Sequence, residues 1–160
     1  MRILAVSALL IFAATGVARA DLAVESVGST SERALWEFQV LLDGREIGYH
    51  SFDVLAQGNV EQVDIKARFE VEVFFVTAYR YEHDNQETWH GDCLQQIASS
   101  TDDNGDQYAI AGQAGDAGFT LDRNEVSEAL DTTCLKTFAY WNPEILEADK
   151  LLNAQTGEWK

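Results

Sequence analysis

The stretch over residues 65–81 constrains the fold more than any other. Ile65, Ala67, Phe69, Val71, Val73, Phe75, Thr77, Tyr79 and Tyr81 alternate with Lys66, Arg68, Glu70 and Glu72. Residues two apart share one face of a strand, whereas a helix brings together residues three and four apart. A period of two kept for this length predicts a half-buried strand. Beyond Glu72 the second face also turns apolar, at Phe74, Val76 and Ala78. One long strand over 65–81, wet on one side early and buried on both sides later, fits a sheet that curves.

Turn signals divide the rest of the chain. Asp43-Gly44 is a favoured hairpin dipeptide. A turn there sets Trp36, Phe38, Val40 and Leu42 on one face with Ile47 and Tyr49, and leaves His50 on the outer face. In YEHDNQETWHGDCLQQI (81–97), a turn at Asp84-Asn85-Gln86 sets Tyr81 against Trp89 and His83 against Glu87, both favourable pairs. A two-residue turn at Asp84-Asn85 would oppose Glu82 to Glu87, so the first register is preferred, with His83 at the hairpin tip. Asn104-Gly105 and the region of Gly115-Asp116 predict two further hairpins. NEVSEAL (124–130) reads as a helical turn or loop before a strand over 133–140. Asn142 then caps a short helix with Pro143 in its first position; Ile145, Leu146 and Leu152 would lay on the sheet. The fold class is all-β: an antiparallel meander curved into a half-barrel or barrel, with one short helix near the C-terminus.

The compartment is written at the N-terminus. Arg2, an apolar run over 3–17 and small residues around Arg19 in Ala18-Arg19-Ala20 form a cleaved secretory signal. The domain organisation is therefore a signal peptide over 1–20 and a single β domain over 21–160. No cysteine stands at the cut before Asp21 to take a lipid anchor, and no later apolar run approaches the ~18 residues of a transmembrane helix. The protein is expected to be soluble and periplasmic or secreted. Its formal charge of −16 becomes −18 on processing, with nine basic residues left against 27 acids. Such a chain repels nucleic acid, because phosphate binding rests on basic side chains. In an exported chain the two cysteines, Cys93 and Cys134, are expected to pair, which stabilises by roughly 4 kcal/mol for a loop of about 42 residues.

Several stretches resemble sites and do not hold up as such. His83, Asp84, His90, Asp92 and Cys93 lie within eleven residues. Zinc needs three or four converging ligands. His90 and Asp92 offer two, and the sequence places no third, so no metal is expected. SSTDDNGDQYAI (99–110) lacks the glycine and glutamate positions of an EF-hand. AGQAGDAGF (111–119) lacks the lysine of a phosphate-binding loop. No motif pairs a nucleophile with a base, so neither catalytic residues nor cofactors are predicted.

At FAYWNPEIL and LLNAQTGEW the chain resembles a family of exported bacterial proteins that share a domain of unknown function. LLDGREIGYHSF, WHGDCL and TDDNG extend the likeness over most of the chain; YWNP (140–143) and LLN with QTG (151–157) carry it most specifically. The resemblance implies an antiparallel β-rich fold and export, and brings no established activity or catalytic residue. Similar proteins continue with further strands after the TGE motif, so this chain is expected to be C-terminally truncated, with an unpaired sheet edge.

The function expected from these readings is non-enzymatic: a binding or carrier protein for a hydrophobic ligand. Phe74, Val76, Trp89 and Trp141 are the candidate ligand-facing residues. The alternative is a cell-envelope module that interacts with an envelope protein or serves structurally. A hydrolytic or metal-dependent enzyme ranks behind both.

Overall fold

Tight turns cut the chain into antiparallel strands, each hydrogen-bonded to the one before it. The computed structural model describes residues 31–124 and 126–160; the predicted signal sequence and the bond Ala20–Asp21 lie outside them. The strands are β1 (Ser31–Leu42), β2 (Arg45–Gln57), β3 (Val60–Val73), β4 (Val76–His90), β5 (Cys93–Asp103), β6 (Asp106–Gly115), β7 (Gly118–Arg123) and β8 (Val126–Leu130). Their order in the sheet is their order in the chain. Among the described residues β1 and β8 are its two edges, so the sheet is open and the expected half-barrel or barrel does not form. β4 has 15 residues, but β7 and β8 shorten to six and five. After Leu130 the chain leaves the sheet instead of adding strands that would close it.

The expected curvature fails at one point. Residues 65–81 are not one strand: Phe74 and Phe75 form the two-residue turn between β3 and β4, with Val73 opposite Val76. The apolar second face was the apex of a hairpin. The turn expected at Asp84-Asn85-Gln86 is likewise absent, because those residues run through the middle of β4. The chain reverses instead at Gly91-Asp92. Asp43-Gly44 and Asn104-Gly105 are turns, as their dipeptides predict. Residues 126–130 extend as β8, and 133–140 make a single bridge, Thr137 to Leu152, where a strand was expected.

A register change moves His50. Between Val40 and Leu41 the pairing of β1 with β2 shifts by one residue, which sets Phe38 opposite His50 and Trp36 opposite Phe52. Gly48 sits opposite Val40 with φ 153°, and a Cβ there would stand 1.8 Å from the carbonyl oxygen of Arg68. Only glycine fits this approach of two backbones. A one-residue slip exchanges the faces of a strand, so His50 points inward rather than outward.

One face of the sheet is covered by the segment 131–160. It is tied down by the Cys93–Cys134 disulfide, whose Cα atoms are 4.7 Å apart, and by a hydrogen bond from Leu94 N to Leu135 O of 2.9 Å. Leu135, Ala139 and Leu152 press onto Phe52, Val63, Trp89, Leu94 and Leu121 from the strands. Burial of each large side chain contributes roughly 1.5–3 kcal/mol. The expected helix is a five-residue 3-10 turn, Pro143–Glu147, in which the Asn142 side chain accepts from Glu144 N at 2.9 Å. Ile145 packs on the core, whereas Leu146 is exposed. Among the described residues, no helix is long and apolar enough to cross a membrane.

Candidate functional site

β4 carries polar residues into the middle of the covered face. Its inward side chains run Tyr81, His83, Asn85, Glu87 and Trp89, with apolar neighbours on either side. Asn85 sits opposite Ile65 of β3 and Ser99 of β5, and Glu87 lies between Val63 and Ile97. His83 faces Ala67 and Thr101. Buried polar groups on a central strand must find partners there, because water does not reach them.

Most do. The Glu87 carboxylate, 3% exposed, accepts from Asn85 Nδ2 at 2.8 Å, Trp89 Nε1 at 2.9 Å and Thr137 Oγ1 at 3.3 Å. None of the ion pairs among the described residues involves Glu87. Burial therefore pushes its carboxyl above the usual carboxylate range, against the pull of the three donors. His83 Nδ1 lies 2.7 Å from Thr101 Oγ1. Burial, with the nearby His50 adding to it, lowers the His83 imidazole to about 4. Burial also lowers His50. Both rings are neutral at neutral pH.

Asn85 is the exception. Its residue is 2% exposed, and Oδ1 has no hydrogen-bond partner in the protein. The side chain lines a cavity of about 390 Å³ between the sheet and the covering segment. The sheet supplies His50, Phe52, Phe69, Tyr81, His83 and Glu87; the segment supplies Thr137, Phe138, Tyr140 and Gln155. Phe69 stacks on Tyr81, with ring centroids 5.2 Å apart and 12° between planes. Tyr81 donates to Gln155 Oε1 at 3.2 Å, and Gln155 donates to Asp103 at 3.0 Å, which fixes one rim. Thr101, though paired with His83, lies outside the cavity lining.

The candidate residues named from sequence scatter. Phe74 and Val76 lie at the β3–β4 apex, far along the strand from the cavity. Trp89 is fully buried and reaches the cavity only through its bond to Glu87. Trp141 packs edge-on against Trp89 at 5.7 Å, with Nε1 buried and unpaired, beside a separate cavity of about 400 Å³ that also meets Trp36 and Glu61. His90 and Asp92 stand exposed at the other end of β4, away from His83. Among the described residues, no three metal-ligating side chains converge.

Sequence reading missed His50, His83, Asn85 and Glu87 as a group. The signal that finds them is electrostatic: Lys66 with Asp84, Arg68 with Glu82 and Glu70 with Arg80 are opposite-charge pairs set symmetrically about residue 75, within the turn. Such cross-strand pairs stabilise an antiparallel register, and this register turns His83, Asn85 and Glu87 inward.

Fold and cavity together define a class: an open antiparallel meander whose own C-terminal segment, stapled by a disulfide, roofs a polar floor. Within that class the chain belongs to the family described as Domain of unknown function (DUF6134), which matches residues 38–160. A search of the curated proteins returns no match, and neither does a search of the solved structures.

Proposed function

We propose that this protein is exported and binds, without catalysis, a small and largely apolar molecule carrying one hydroxyl-type head group. The cavity between the sheet and the covering segment is the binding site. Its volume of about 390 Å³ lies at the small end of the range for ligand pockets, about 300–1,000 Å³. Phe52, Phe69 and Tyr140 suit an apolar body, while His50, His83, Asn85 and Glu87 suit a polar end.

The observation that carries this reading is the unpaired amide atom of Asn85. When Glu87 is ionised, Asn85 must turn Nδ2 towards it and Oδ1 is left over. When Glu87 is protonated, the amide can reverse, and Nδ2 is left over instead. A hydroxyl both donates and accepts, so it satisfies either state. Leaving such a buried group unpaired costs about 1–3 kcal/mol; Oδ1 is itself out of reach of solvent, so a head group would recover this cost once the amide turns towards the cavity.

A thermal-shift series tests this with apolar alcohols and the matching alkanes and carboxylic acids. An alcohol should raise the melting temperature of the wild type most. Asn85→Leu should fold and lose about tenfold or more in affinity. If no alcohol stabilises the wild type, or if Asn85→Leu binds equally well, the reading fails. Export is checked separately: N-terminal sequencing of secreted material should begin at Asp21.

A second reading, the envelope interaction module, draws on β1. That edge strand exposes Trp36 and Phe38, and free strand edges accept partner strands.

A further inference from the structure

The turn at Phe74-Phe75 breaks a rule that the rest of the chain keeps. Both residues have positive φ, 53° and 64°, the left-handed conformation of a type I′ hairpin. Among the described residues, every other positive φ falls on glycine, on Asp43, or on Asn104 and Asn124. Those types tolerate the conformation, whereas a bulky side chain is strained in it. Strain kept at an exposed site points to a use for the side chains that bear it.

The exposure is extreme. Phe74 is 91% and Phe75 100% exposed, flanked by Val73 at 49% and Val76 at 66%. Four consecutive apolar residues thus project from the end of the longest hairpin. The β1–β2 hairpin turns at the same end of the sheet and exposes Leu41 and Leu42.

We propose that the Phe74-Phe75 apex inserts shallowly into a zwitterionic phospholipid surface. Size argues against a protein partner. The two phenylalanines, the side chains that project furthest, supply about 300–500 Å² of contact, a narrow wedge rather than the flat patch of roughly 800 Å² per side of a stable protein interface. Charge sets the lipid class. Glu70, Glu72 and Arg80 ring the base of the apex, and Asp43, Arg45 and Glu46 line the groove beside it, four acids to two arginines. This mixture suits headgroups that carry both signs. The net charge, −18 in the chain from Asp21, opposes an anionic surface. Glu72, two residues from Phe74, limits the depth.

The test uses a substitution that improves the fold while removing the apolar tip. Phe74→Asn with Phe75→Gly installs the preferred type I′ dipeptide. In the chain from Asp21, which keeps the whole described sheet, the double variant should melt higher than the wild type. Co-sedimentation with phosphatidylcholine vesicles should fall at least about tenfold in the variant. Vesicles enriched in phosphatidylglycerol should bind the wild type more weakly than phosphatidylcholine does. A wild type that ignores phosphatidylcholine, or a variant that binds it equally, overturns the proposal. So does self-association of the wild type without vesicles that the variant abolishes, because the apex would then be a contact between copies.

Discussion

Lowering the pH from 7 to 4 should weaken this fold through His83. In the unfolded chain the imidazole takes up a proton near pH ~6.5. In the folded protein it resists until about pH 4, chiefly because the ring is buried and 7% exposed. The unfolded state therefore binds more protons across this window, and stability rises with pH inside it. The full contribution is present above pH ~6.5 and is lost as pH falls towards about 4. At about 1.36 kcal/mol per pH unit, the loss is about 3 kcal/mol. His50 acts in the same sense, its imidazole being lowered by burial. Glu87 acts in the opposite sense, because its carboxyl is raised on folding. A paired comparison cancels both: urea denaturation of wild type and His83→Gln at several pH values between about 7 and 4.5. The introduced glutamine keeps a polar partner for Thr101 and does not titrate. The wild type should lose about 2–3 kcal/mol more than the variant over that range. Parallel curves, or a His83 ring resonance that titrates near ~6.5 in the folded protein, would refute the burial argument.

The disulfide and one glycine give two further expectations. Replacing Cys93 and Cys134 together by serine should cost about 2–5 kcal/mol in urea denaturation, because the bridge spans 41 residues and holds the covering segment on the sheet; a change below about 1 kcal/mol would mean that the core alone retains the segment. Gly48→Ala should cost about 3 kcal/mol or more, since its Cβ meets the Arg68 carbonyl, whereas Gly44→Ala at the open β1–β2 turn should cost about 1 kcal/mol. Equal melting temperatures for these two variants would contradict the close approach at Gly48.

Alternation and turn chemistry made the meander legible, because both act locally. Asp43-Gly44 and Asn104-Gly105 name their own turns, and Asn142-Pro143 names its own cap. Two features hid the rest. Phe74-Phe75 has no turn signature, so the alternation ran on through a reversal and suggested a curved strand. Asp84-Asn85 carries turn-forming residues inside a strand, where the two neighbouring strands hold them extended. Together these errors displaced the β4 register and put His83 at a tip rather than on the cavity floor. His50 was misplaced for a different reason. The one-residue shift beside Gly48 depends on β3 approaching from the far side, which no local pattern records. The disulfide was legible from two cysteines in a chain read as exported. The cavity was not, because it exists only where residues near 140 and 155 meet residues near 50 and 85.

That meeting has a consequence for how the protein assembles. Every strand pairs with its neighbour in sequence, so the sheet can zip up through short loops, each with a small entropic barrier. The long-range part is concentrated in the covering segment, where Leu135 meets Leu94, Gln155 meets Tyr81 and the Ser99 hydroxyl meets the Ala154 carbonyl. Docking of this segment is then the natural last event in folding and its release the first in unfolding. Because the same docking forms one wall of the cavity, a molecule held on the Asn85 floor would act on the exit rate from the native state, slowing unfolding while leaving the zipping of the hairpins untouched.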